Sequence, residues 1–250
     1  MATTQIAAIG QYQACAYRVW QLDTDCSVLK TNDVANAIVG TGVIRANMSV
    51  ELKEGQEVEA TTACGAVAWS ARDVDRIKRW NLEFEVATWD YELLGMAVGG
   101  NLITGNGATE TEWNTKTIGW AAPGPTATSQ PAVAIELWSR AAYSTGVCAA
   151  VEGAPPQYIR HIFPRATLQL QDRAFEEATP AYMRFQGRVE ANPKLLTDLK
   201  DAGVTDTPWI GPASTTALES STYIQMFAEG LPVADNDFDG GYTAYTFSGS

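Results

Sequence analysis

Val43-Ile44-Arg45-Ala46-Asn47-Met48-Ser49-Val50-Glu51-Leu52-Lys53 alternates apolar and polar side chains from Ile44 onward. A strand sends successive side chains to opposite faces, so Ile44, Ala46, Met48, Val50 and Leu52 share one face and Arg45, Asn47, Ser49, Glu51 and Lys53 the other. This predicts a half-buried strand. Residues 79–87 repeat the pattern, with Trp80, Leu82, Phe84 and Val86 inward and Asn81, Glu83 and Glu85 outward. Residues 132–139 (Val133, Ile135, Leu137) and 181–191 (Met183, Phe185, Val189) predict two more strands. Residues 158–163 and 166–170 read as one strand interrupted at Pro164, which implies an edge or a bulge because proline has no N–H to give a neighbour. Weaker strands are expected at 222–227 and 242–247.

Helices are few. Asp90 can cap a helix over 91–98, where Leu93, Leu94 and Ala97 form an apolar stripe and Gly99-Gly100 ends it. A second short helix is expected to begin near Asn192-Pro193, carry Leu195, Leu196 and Leu199, and end at Gly203. Residues 54–78, 101–130 and 201–221 read as long loops, a length that in a compact domain is functional or ordered by a partner. The fold class expected is therefore mainly β: a β-sandwich or barrel-like domain flanked by one or two short helices, with long loops.

Composition narrows the function. With 17 basic against 29 acidic residues and a net charge of -12, the chain lacks the cations needed to grip nucleic acid. An acidic wall instead repels a polyanion and lets it slide. The N-terminus has no basic leader and no apolar run approaches the roughly 20 residues that span a bilayer, so the sequence reads as a soluble chain made in a cytoplasm, with no membrane contact. Cys15, Cys26, Cys64 and Cys148 are far apart, without a C-x-x-C pair, and are expected as free, mostly buried thiols.

Catalytic chemistry finds little purchase. The one histidine, His161, sits in an alternating segment where a structural role is expected, and no nucleophile elbow, zinc helix or phosphate loop accompanies it. Glu83 and Glu85 share a strand face, a spacing that a solvated face produces equally well. Asp235-Asn236-Asp237-Phe238-Asp239-Gly240 matches the start of a calcium loop, but Thr246 stands where the twelfth position needs Glu. An acidic turn and a calcium site both stay open for Asp235, Asp237 and Asp239; no cofactor is otherwise expected. Among the eight tryptophans, Trp80 and Trp138 fall in strands, where packing or subunit contact is expected.

In order and spacing, the segments Val43-Ile44-Arg45-Ala46-Asn47-Met48-Ser49-Val50, Cys64-Gly65, Asp75-Arg76-Ile77-Lys78-Arg79-Trp80-Asn81-Leu82-Glu83-Phe84-Glu85, the helix at 90–98, Tyr158-Ile159-Arg160-His161-Ile162-Phe163-Pro164-Arg165, Phe175-Glu176-Glu177 and the strand at 183–191 resemble the major tail tube protein of long-tailed bacteriophages with non-contractile tails. The resemblance covers roughly residues 40–100 and 130–195. It implies a non-enzymatic structural subunit whose copies close into rings, expected to be hexameric, that stack into a tube for DNA ejection. The loop at 54–78 would then contact the neighbouring ring. Partners implied are the chain itself and the tape measure, tail tip and terminator proteins, with DNA passing through the lumen without specific binding. Localisation would be the virion, after assembly in the host cytoplasm. Ser49, Glu51, Glu83 and Glu85 are the candidates to face the lumen and present negative charge. One domain over 1–250 is expected, with an N-terminal arm at 1–40, an inserted loop at 101–130 and a C-terminal extension at 195–250. The alternatives are another tail or connector ring protein, and a carbohydrate-binding β-sandwich using exposed tryptophans.

Overall fold

The computed structural model describes residues 9–31, 34–35, 37–61, 67–87, 89–104, 117–125, 130–143, 158–171, 182–195 and 221–228. In chain order the elements are β1 (Ile9–Gln21), β2 (Lys30–Thr31), β3 (Val34–Ala35), β4 (Ala37–Thr41), β5 (Val43–Lys53), β6 (Glu57–Thr61), β7 (Val67–Arg72) and β8 (Arg76–Val86). Then follow α1 (Tyr91–Val98), β9 (Asn101–Thr104), β10 (Thr117–Ala121), β11 (Val133–Tyr143), β12 (Tyr158–Leu170), β13 (Met183–Glu190) and β14 (Ile224–Ala228). Among the described residues the protein is mainly β with one short helix, as the alternation predicts.

The large sheet is antiparallel throughout, in the order β4-β1-β11-β12-β13-β8-β5, with β14 also on β12. Its geometry turns on Pro164. Phe163 pairs with Ile135 and Ala166 with Val133, so β12 spends one residue more than β11 at this point, a bulge. Before it, Tyr158–Ile162 pairs with β14; after it, Arg165–Leu170 pairs with β13. One bent strand thus serves two arms of the sheet. The expected bulge is present, but β12 is an interior strand and not an edge.

The arms fold toward each other until β5 lies against β1, enclosing Tyr17, Val19, Leu82, Phe84, Ile135, Phe163 and Phe185. Tyr17 meets Phe84 edge-on at 5.2 Å, and Phe84 stacks on Phe185 at 6.2 Å. Each such side chain contributes about 1.5–3 kcal/mol by leaving water. Gly40 is paired with Tyr17, and a Cβ there would sit 2.3 Å from the tyrosine ring, so only glycine lets the ring lie across β4. A second cluster, with Trp20, Ala134, Ile162, Leu195 and Ile224, covers the other face of β1, β11, β12 and β14.

Asp90 accepts from the N–H groups of Glu92 (2.8 Å) and Leu93 (3.1 Å), and Gly99, at φ 85°, ends α1 with its N–H on the Gly95 carbonyl. Trp120 Nε1 donates to the Gly99 carbonyl at 2.8 Å, tying the β9–β10 hairpin to the helix end. The helix packs on β12 and closes one end of the core.

Several expectations need correction. The segment expected as an N-terminal arm contains β1, an interior strand between β4 and β11. The loop expected over 54–78 is a hairpin, β6–β7, followed by an early start of β8 at Arg76; part of 101–130 is the β9–β10 hairpin. Near 192–195 Asn192 accepts from the Lys194 N–H at 3.1 Å; the rest of the second helix, the strand at 242–247 and the aspartates Asp235, Asp237 and Asp239 lie outside the described residues. Cys15 and Cys26 are half-buried, less covered than expected, and Cys64 and Cys148 also lie outside the described residues.

Candidate functional site

The segment that identifies the sheet is also where burial departs most from expectation. Met48 is half-buried against the core, but Ile44 is 45% exposed and Leu52 53% exposed, with Ala46 and Val50 exposed as well. The apolar face of β5 is therefore largely uncovered. Among the described residues β5 is the last strand on its side of the sheet and pairs only with β8, and its contact with β1 leaves most of this face open. Alternation reports which side chains share a face, while coverage depends on how far the opposing sheet extends.

β5 and β8 continue as one antiparallel ribbon into β6 and β7. Lys53 pairs with Arg76, the Asp73 N–H donates to the Gln56 carbonyl, and Glu57 pairs with Arg72. At the bend, the Asp75 carboxylate accepts from the Gly55 N–H at 2.8 Å and from Arg72 Nη2 at 3.1 Å. These contacts, the Gly55 N–H first, hold Asp75 below the usual carboxylate range. A Cβ on Gly55 would meet the Asp73 carbonyl oxygen at 1.8 Å, so the bend requires glycine.

The hairpin has two unlike faces. Val58 pairs with Ala71, and Val67 and Trp69 follow on that side of β7; Glu57 pairs with Arg72 and Glu59 with Ser70 on the other. Trp69 is 55% exposed. Eight of the eleven exposed large hydrophobics among the described residues, Ile44, Val50, Leu52, Val58, Val67, Trp69, Val74 and Ile77, lie on this ribbon, which makes it the surface most in need of a cover.

Ser49, Glu51, Glu83 and Glu85 fall together on the polar face of β5 and β8, which continues across β13 and β12. Arg45 pairs in register with Glu85 and Glu85 with Arg184; Asn47, Glu83 and Gln186 form the next row, then Ser49, Asn81 and Arg188. Glu51 accepts from Lys78 at 2.6 Å and from Arg79, and the Arg79 bond, then that of Lys78, pulls its pKa down to about 2. Glu83 lies 3.7 Å from Arg45, and the nearly buried Glu85 3.1 Å from Arg184. Arg165 pairs with Glu190 in the same field. The face is thus charge-balanced, in contrast to the negative wall expected. The arginines that balance it were readable from the alternation of 183–190, where Arg184 and Arg188 fall on the polar side.

Two polar groups lie within the body. Ser139 Oγ is 2.9 Å from His161 Nε2, and His161 Nδ1 is 2.6 Å from the Tyr223 hydroxyl, whose ring stacks on the imidazole. Burial pulls His161 down to about 4, so it is uncharged at neutral pH and a weak base. On the opposite face of β11, Glu136 accepts from Arg18 Nε at 2.7 Å and from Arg160, and both guanidiniums lie over the Trp138 ring. Burial alone would raise Glu136, but Arg160 and Arg18 together outweigh it and hold the carboxyl below the ordinary glutamate value.

Among the described residues, no group of three or more His, Cys, Asp and Glu side chains is placed to hold a metal, and no helix is long and apolar enough to cross a membrane. No protein-family model and no curated protein sequence matches the chain.

Proposed function

We propose that the protein is a structural subunit that assembles with copies of itself into rings stacked as a tube, the tail tube of a long-tailed bacteriophage. The observation that carries this reading is the uncovered apolar stripe along β5–β8 and its hairpin. An isolated two-stranded hairpin is marginal in water, and a long free edge strand invites pairing, so the ribbon favours a partner that covers both. A closed ring of copies would leave no such edge. The order and spacing of segments that resemble tail tube proteins choose this assembly over other self-associating β proteins.

In such a tube the balanced face carrying Ser49, Glu51, Glu83 and Glu85 would line the lumen. Paired charges suit a conduit, because the Glu side chains oppose the arginines that would otherwise hold phosphates. The tube would belong to the virion and adjoin the tape measure, tail tip and terminator proteins. Negative-stain electron microscopy and sedimentation across a concentration series test the reading. Hollow tubes or stacked rings are expected. A chain that stays monomeric at every concentration, even with tail-tip complexes as seeds, overturns it; single rings that never stack would place it among connector or terminator proteins instead.

A further inference from the structure

Between the start of β5 and the faces of β1, β11 and β12 lies a cleft of ≈ 350 Å³. Met48, Leu137 and Phe163 line it, Ser139 and His161 supply polar atoms, and Arg45 also borders it. An occupant suited to this lining has a large apolar body with one hydrogen-bond donor. An indole is such a group: its ring fills apolar space and its N–H needs an acceptor, which Ser139 Oγ has the lone pairs to supply.

The exposed surface of this same chain offers one. Trp69 stands on the apolar side of the β6–β7 hairpin beside Val67, more than half exposed.

The hairpin cannot reach the cleft of its own chain. The cleft is beside Ile44, Ala46 and Met48, at the beginning of β5, and the hairpin extends past the end of β5 at Lys53. At about 3.3 Å per residue, Ala46 and Lys53 alone are roughly 23 Å apart, and β6 and β7 add to that. Knob and socket sit at opposite ends of one ribbon, so their contact joins different copies. A contact between unlike surfaces does not close on a pair; it propagates from copy to copy.

We infer that the cleft bordered by Met48, Ser139 and His161 is the socket for Trp69 of a second copy of this chain. This rests on the self-assembly reading and adds to it the pair of sites that engage. The test places a photoreactive benzophenone in the full-length chain as Trp69→p-benzoylphenylalanine, irradiates the assembled protein and maps the linked peptides by mass spectrometry. Trp69→Ala and Ala46→Trp are sedimented in parallel. Both positions are exposed, so the fold tolerates the changes, and Ala46→Trp obstructs the socket without touching the hairpin. Expected are links from position 69 to Met48 or its neighbours in cross-linked dimers, with at least a tenfold loss of pelleting assembly for both variants. Assemblies in which position 69 links elsewhere and Trp69→Ala pellets like wild type overturn the socket and leave self-assembly standing. Links confined to single chains overturn the contact between copies. If wild type never assembles and no link forms, the self-assembly reading fails and the socket falls with it.

Discussion

Glu136 holds one negative charge between two guanidiniums on a strand face shut off from water, so its replacement exposes what ion pairing contributes inside this fold. Glu136→Gln deprives both buried arginines of their shared carboxylate, and a loss of about 3–5 kcal/mol is expected from urea unfolding. His161 gives a pH signature. Its pKa falls from 6.5 in the unfolded chain to about 4 in the folded one, so the unfolded state takes up the proton first as the solution is acidified. Stability is therefore lost as pH falls from 6.5 toward 4, by about 2 kcal/mol at pH 5. Asp90 opposes this: burial raises it from 3.8 to about 6, so its contribution is full below 3.8 and disappears as pH rises through 6. Comparing wild type with His161→Gln isolates the histidine. The drop in urea midpoint between pH 7 and pH 5 is expected to be larger for wild type, and equal drops would refute the assignment.

At the scale of elements, the bend between β5 and β6 depends on one missing side chain. Gly55→Ala drives a Cβ into the Asp73 carbonyl, so hydrogen exchange in β6 and β7 is expected to accelerate while protection of β11 and β12 is unchanged. Unchanged exchange in the hairpin would show that the bend relaxes without it. Asp90→Ala removes the cap of α1 and is expected to cost about 1–2 kcal/mol, with Asp90→Ser retaining most of that stability. These elements differ in how plainly the sequence announces them. The helix was readable to the residue because cap, apolar stripe and Gly99 agree. Four strands were readable because polar and apolar positions alternate. β1 was not: Ala16, Tyr17, Arg18, Val19 and Trp20 are all buried, and a strand covered on both faces with an arginine inside it has no alternation to read. The β6–β7 hairpin was obscured by Ala60, Ala68 and Ala71, which blur the contrast between faces. Of the candidate site, the grouping of Ser49, Glu51, Glu83 and Glu85 was visible in two strands, whereas its neutrality needed the pairing of β8 with β13.

At the scale of the molecule, the balanced face makes a claim about DNA. Arg45, Arg79, Arg165, Arg184 and Arg188 stand among Glu51, Glu83, Glu85 and Glu190 there, so neutralising two glutamates leaves a clear cationic excess. The double variant Glu51→Gln with Glu83→Gln is expected to bind labelled duplex DNA at low salt, by fluorescence anisotropy, and to release it as salt rises, while wild type binds little at either. Equal anisotropy for the two proteins would dissociate these pairs from any role toward DNA. The place of β1 in the sheet also governs the order in which the chain can fold. Gln21 pairs with Val133, more than a hundred residues later in synthesis. At roughly 5–20 residues per second, β1 leaves the ribosome on the order of 6–20 s before its main partner exists. During that interval its short neighbour β4 is the one strand of its final pairing already made, and the apolar ribbon emerges before α1 or β12 can shield the core beneath it. Closure of this sheet consequently waits until β11 and the strands after it have been made, and the nascent chain passes through a period in which its stickiest surface must be kept from its siblings on the same messenger.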